Sequence, residues 1–185
     1  MRLENKIALV TGGGQGIGKE IAKTLAKQGA FVLINYLDLG NNQEIAQKTQ
    51  QEIEELGGKC ALISANVASY QETEEMFKII KKEYGRLDIL INNAGVLDKG
   101  LNAIDQIDYD DLNRVIDINQ KGTMYCMSEA LKVMKSGASI VNISSVAGQY
   151  GAGGAVYVST KAAIIGVTKH AAMRFAKEKI RCNVI

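Results

Sequence analysis

Lys6-Ile7-Ala8-Leu9-Val10-Thr11-Gly12-Gly13-Gly14-Gln15-Gly16-Ile17-Gly18 is the stretch whose reading decides the fold. Ile7 to Val10 is a continuous apolar run, the pattern of a strand buried on both faces. The glycines after it let the backbone turn sharply and approach a ligand closely. From Gly16 an amphipathic pattern begins, with Ile17, Ile21, Ala22 and Leu25 on one helical face and Gly29 as its stop. A strand–turn–helix of this kind aims unpaired N–H groups and a positive dipole end at the turn, which favours a pyrophosphate. The spacing is T-G-x-x-x-G-x-G, and no register fits G-x-G-x-x-G. No Gly-Lys-Ser/Thr follows, which disfavours a Walker-type loop. A tight turn without a ligand stays open for this motif taken alone.

Outward from the turn, short apolar runs alternate with longer amphipathic ones. Strands are predicted over 6–11, 31–36, 60–64, 87–91, 139–143 and 180–185. Helices are predicted over 16–28, 41–56, 71–84, 109–135 and 153–177. Strands apolar throughout need helices on both faces. The fold class is therefore α/β, a three-layer, Rossmann-like, doubly wound parallel sheet. Residues 1–185 read as one dinucleotide-binding and catalytic domain. The stretch 95–108 is the least regular, and such loops often shape a pocket.

Composition narrows the function. Hydrophobic residues make up 46% and charged residues 23% of the 185, ordinary for a globular domain. A net charge of +2 gives no electrostatic reason to expect nucleic acid or an anionic membrane as partner. No apolar run approaches the roughly 20 residues of a membrane span, and no secretory signal is visible. Cys60, Cys126 and Cys182 are too scattered for a disulfide framework or a zinc site. They read as reduced thiols, and the expected location is cytoplasmic.

A second constellation carries chemistry. Asn142-Ile143-Ser144-Ser145 ends the fifth strand, and Tyr157-Val158-Ser159-Thr160-Lys161 opens the last long helix. Residues four apart share a helix face, and strand carboxyl ends form the ligand rim of an open α/β sheet. A free phenol has a pKa of about 10, too high for efficient proton transfer at neutral pH. An ammonium about 4 Å away, at an effective dielectric near 20, is worth roughly 4 kcal/mol. That corresponds to about three pK units before screening and desolvation reduce it. A serine hydroxyl beside them holds a carbonyl, a nicotinamide supplies hydride, and Tyr157 supplies the proton.

Taken together these residues resemble the short-chain dehydrogenase/reductase family, over nearly the whole chain from Lys6 to Ile185. The resemblance rests on the glycine turn, Asn92-Asn93-Ala94-Gly95 after the fourth strand, Asn119, Ser145, and Tyr157 with Lys161. It implies a catalytic tetrad of Asn119, Ser145, Tyr157 and Lys161, with Ser144 as the alternative serine. Lys161 would also bond the nicotinamide ribose. Cofactor contacts are implied at Gly12, Gly14, Gln15, Gly16, Ile17, Gly18, Tyr36, Asn66, Val67, Asn93, Ala94 and Gly95, with Asn92 also lining the cleft. Asn66-Val67 stands where the family usually has Asp-Val beside the adenine. Turn or helix caps are the plainer readings of Asn92, Asn93 and Asn119.

Tyr36 occupies the position of an NAD-selecting acid. Asp38 lies two residues on, Gln15 stands where an arginine would bind a 2′-phosphate, and Lys19 is the nearest cation. The reading leans slightly to NADP(H) over NAD(H). The family normally runs to about 250 residues, the upper range for one domain, and continues into a Pro-Gly segment. This chain ends at Asn183-Val184-Ile185 without a proline, so the substrate lid and last strand are expected to be missing.

The expected activity is hydride transfer between a nicotinamide cofactor and a small carbonyl or secondary alcohol, in a homotetramer packed through the two long helices. Ala162, Ala163, Ala171 and Ala172 would allow that packing. The sequence is similar to 3-oxoacyl-thioester reductases and to polyol or sugar dehydrogenases. Ala130 and Met173, with Arg174 adjacent, stand where carrier-protein docking needs arginines, which weakens the thioester reading. The alternatives are a cofactor-binding homologue without turnover and another Rossmann-like enzyme such as a methyltransferase.

Overall fold

The computed structural model describes residues 1–185. In chain order it contains β1 (Ile7–Val10), α1 (Gly16–Lys27), β2 (Phe31–Tyr36), α2 (Asn42–Glu55), β3 (Lys59–Ser64), α3 (Tyr70–Tyr84) and β4 (Leu87–Asn92). A 3-10 turn (Ile104–Gln106), α4 (Tyr109–Val115), a π-helical segment (Ile116–Lys121) and α5 (Gly122–Val133) follow. The chain then forms β5 (Met134–Asn142), α6 (Ala147–Tyr150), α7 (Ala155–Phe175) and β6 (Arg181–Val184).

The six strands form one sheet in the order β3-β2-β1-β4-β5-β6, parallel throughout. The winding reverses between β1 and β4, and a crevice opens at their carboxyl ends. Side chains alternate across the sheet. Ala8, Val10, Val32 and Ile34 pack against Ala22 and Ala26 of α1 and Ile53 of α2. Leu9, Leu33, Leu90 and Ile140 face the other way, onto α3, α5 and α7 through Met76, Phe77, Ile80, Cys126, Met127 and Ala171. Each fully buried leucine or isoleucine among them contributes about 1.5–3 kcal/mol. The α/β doubly wound architecture expected from the sequence is the one observed.

Three expected elements differ. The helix predicted over 109–135 is not one regular rod, because the π-helical segment interrupts it and β5 begins at Met134, paired to Leu87 across a register shift. The helix predicted from Gly153 starts at Ala155. Gly153 has φ of +128°, and Gly154 is extended at φ −67°, ψ 142°. The short α6 and the 3-10 turn lie in stretches read as loops. Local caps explain two other starts: Ser69 accepts from Glu72 N at the head of α3, and Asp108 accepts from Asp110 N and Asp111 N at the head of α4.

Candidate active site

The glycine turn is held from both sides. Thr11 is buried, and its Oγ1 accepts from the backbone N–H groups of Asn93 and Ala94, both at 3.0 Å. Asn93 Nδ2 donates back to the carbonyls of Thr11 at 3.0 Å and Gly12 at 3.2 Å. Gly12 N donates to Asn35 Oδ1 at 3.3 Å, and Thr49 Oγ1 donates to Gly14 O at 2.7 Å. Gly16 has φ of +55°, a left-handed conformation that glycine adopts freely. Gly18 meets a different demand, since a Cβ there would run into Gly12 O and Asn93 Nδ2.

A cleft of about 400 Å³ opens over this turn. Gly12, Gly14, Gln15, Ile17, Tyr36, Asn66, Val67, Asn93, Ala94 and Gly95, which the resemblance implies as cofactor contacts, all line it. Gly16 and Gly18 belong to the turn but do not line the cleft. Asn92 does not line the cleft, contrary to expectation. It is buried between strands, and its Nδ2 donates to Asn142 Oδ1 at 2.8 Å. Lys19, the nearest cation in sequence, does not line the cleft: its Nζ lies 2.5 Å from Glu52 of α2. Asn66 Oδ1 accepts from Ala68 N in a local turn.

Asn35 lines the cleft and was not singled out from the sequence. It is buried, and its Nδ2 donates to Ala65 O at 3.0 Å while its Oδ1 holds Gly12. One side chain thus joins the turn to the end of β3. The available signal was a lone amide inside an otherwise apolar strand.

Beyond Gly95 stands α7, and none of Asn119, Ser145, Tyr157 or Lys161 lines the cleft itself. Lys161 is 4% exposed, and its Nζ donates to Ile143 O at 2.9 Å. The same ammonium stands 5.5 Å from the centroid of the Tyr157 ring, within cation–π range. Burial holds this lysine below its ordinary pKa. A Cβ added at Gly95 would lie 3.3 Å from Asn119 Oδ1 and 3.5 Å from Lys161 Nζ. Gly95 also lines the cleft, so both side chains abut its wall.

Asn119 is fully buried in the π-helical segment. Its Oδ1 accepts from Val96 N at 2.8 Å, and its Nδ2 donates to Val96 O at 2.9 Å and Thr160 Oγ1 at 3.2 Å. The two serines part company here. Ser144 is buried, and its Oγ donates to Lys161 O at 2.7 Å. Ser145 is half-buried, and its Oγ accepts from Ala147 N at 3.1 Å, leaving its proton to donate elsewhere. Gly148 of α6 packs directly on the Lys161 backbone, so the serine loop and α7 share one interface.

The family model described as short chain dehydrogenase matches residues 6–185. The chain belongs to the short-chain dehydrogenase family. Among relatives of this chain, the 3beta-hydroxysteroid dehydrogenase of Mediterraneibacter gnavus is 38% identical, covering 100% of this chain and 66% of that protein. The 3-oxoacyl-[acyl-carrier-protein] reductase of Staphylococcus aureus is 42% identical, covering 97% of this chain and 72% of that protein. The chain therefore spans about two thirds to three quarters of the length of these relatives. A short-chain dehydrogenase from Burkholderia cenocepacia, solved in complex with NADP, superposes with a TM-score of 0.91 at 33% identity, covering 100% of this chain and 74% of that one.

Of the alanines expected to pack short-chain dehydrogenase copies together, Ala171 is buried in the core and Ala162 is exposed. His170 is exposed. No helix is long and apolar enough to cross a membrane.

Proposed function

We propose that the protein is an NADP(H)-preferring oxidoreductase that interconverts a small-molecule carbonyl and a secondary alcohol. The observation that carries this reading is the Lys161 ammonium over the Tyr157 ring beside the cleft wall at Gly95. The glycine turn and cleft residues fit a dinucleotide: peptide N–H groups converge on the turn, and an apolar wall of Ile45, Val67 and Ile118 suits an adenine. When bound, the nicotinamide accepts or supplies hydride.

The chain's own residues handle orientation and the proton. Ser145 donates a hydrogen bond from its hydroxyl to the substrate oxygen and keeps its proton. Tyr157 gives its phenolic proton to that oxygen on reduction and takes it back on oxidation. Lys161 holds a positive charge beside the Tyr157 ring. Asn119 fixes Val96 and hence the loop that borders the substrate.

Both relatives are named for reactions at a C–OH or C=O centre, which supports the reaction class. Replacing Tyr157 by Phe removes one oxygen and leaves the ring in place. Turnover is expected to fall at least a thousandfold, within the range for losing a general acid–base group. NADPH binding, followed by coenzyme fluorescence, should be retained. Undiminished turnover in Tyr157→Phe would overturn the reading. Coenzyme binding without turnover by the parent chain, across ketones and alcohols, would make the protein a binding module.

Preference for NADP(H) draws support from the NADP-bound relative and from the absence of any carboxylate in the cleft lining. A 2′-phosphate meets no repelling charge there. Tyr36→Asp puts a carboxylate at the end of β2 and is expected to reverse the preference towards NADH, read as the ratio of kcat/KM for the two coenzymes. We further propose a cytoplasmic homotetramer assembled through α5 and α7, tested by light scattering of the protein and of Met173→Glu.

A further inference from the structure

Asp98 is the charged group that the proposed chemistry leaves without a task. It lies in the loop after β4, is 5% exposed, and neither carboxylate oxygen has a hydrogen-bond partner. A buried carboxylate with no partner costs several kcal/mol unless something nearby offsets its charge. What lies against it is the residue that precedes the helix carrying Tyr157. A Cβ built on Gly154 would fall inside the Asp98 carboxylate.

Gly154 is the N-cap of α7 and has no side chain to bond the first turn. Its extended backbone is the usual N-cap conformation. An N-cap side chain serves the second and third helical amides, here Val156 and Tyr157, which have no intrahelical acceptor. The Asp98 carboxylate therefore fills the volume where that missing side chain would stand. Its negative charge also faces the positive end of a 21-residue helix.

The same loop supplies a second acceptor to this helix end, since Ala155 N donates to Asn102 O at 2.9 Å. The loop is tied down on its other side too. Val96 is held by Asn119, Leu97 O accepts from Arg114 Nη2 at 2.7 Å, and Lys99 N donates to Asp111 Oδ2 at 2.6 Å. Asp98 is the member of this run whose side chain reaches α7.

We propose that Asp98 is a positioning residue, acting from a distant loop as an electrostatic cap of α7, through its charge at the helix's amide end and without a hydrogen bond, and thereby setting where Tyr157 stands. The inference rests on the catalytic reading above only for its effect on turnover, and the cap itself is measured separately. Amide hydrogen exchange over the first turn of α7 reads the cap. Asp98→Ala is expected to speed exchange there severalfold, the loss of a charge that faces the helix dipole. Asp98→Asn keeps the volume and removes the charge, and should speed exchange there as Asp98→Ala does. In Asp98→Ala/Gly154→Asp the helix carries its own cap in the space vacated, and protection should return.

Turnover of cyclohexanone with NADPH is expected to follow the same order, with kcat lowered about tenfold in Asp98→Ala and the KM for NADPH unchanged. Should Asp98→Ala fail to fold, Gly154→Ala expels the carboxylate while leaving the loop sequence intact, and it should show the same loss. Unchanged exchange in both single variants, or no recovery in the double variant, overturns the cap. Loss of activity in Asp98→Asn with protection retained overturns it too, because the carboxylate would then be reading a cationic substrate. Tyr157→Phe leaves α7 exchange untouched, so a failed catalytic reading and a failed cap give different results.

Discussion

At Lys161 a charge sits where water hardly reaches. Burial lowers its pKa from the ordinary 10.5, so between the folded and unfolded values the unfolded chain binds more protons. Stability therefore rises with pH through that window, and the cost of the buried ammonium is fully present below the folded value. Lys161→Met keeps the length of the side chain and removes the charge. Its unfolding temperature at pH 7 should be no lower than that of the parent, its stability should lose this part of the rise between pH 7 and 10, and its turnover should vanish. Thermal unfolding across that pH range checks the sign. A variant that is less stable at pH 7 and keeps the rise would refute the assignment.

Elements differ in how much a side chain at a glycine would disturb them. At Gly18 a Cβ meets backbone and a clamped amide, neither of which can move without opening the turn. Gly18→Ala is expected to cost about 1–3 kcal/mol, as for an overpacked core, and to weaken NADPH binding at least tenfold. At Gly16 nothing lies within 4 Å, so Gly16→Ala pays only for its left-handed backbone, about 1–2 kcal/mol. Urea unfolding with coenzyme titration separates the two.

The glycine turn itself was legible because its logic is local: strand, turn and helix are contiguous. The Tyr157–Lys161 pair was legible because one helical turn fixes it. Asn35, the Thr11–Asn93 clamp and Asp98 were not, because each works by contact with residues far along the chain. Lys19 lies next to the glycines in sequence, but its ion pair with Glu52 of α2 holds it towards that helix. The break in the long helix escaped the periodicity because its apolar residues continue on either side.

Across the whole molecule the cysteines report on opening. Cys126 is fully buried between α5 and the sheet, and burial pushes its thiol up to about 12. Cys60, half-buried on β3, is pushed up to about 11. Alkylation followed by mass spectrometry should mark Cys60 first in the native protein and Cys126 only through unfolding. Saturating NADPH at about 100 times its Kd stabilises by about 2.7 kcal/mol and should slow Cys126 labelling about a hundredfold. Fast labelling of Cys126 in the native state would mean that the layer over this face opens without global unfolding.

The π-helical segment at Ile116–Lys121 is an α-helix with one residue too many. Removing a single position there, such as Asp117, would let the chain run from Tyr109 to Val133 as one regular rod and turn everything on one side of the cut by about 100°. The amide of Asn119 would swing away from Val96 and Thr160. Such a molecule would have a straighter, better bonded helix and a loop that nothing grips. In this chain a surplus residue is what gives the helix its reach.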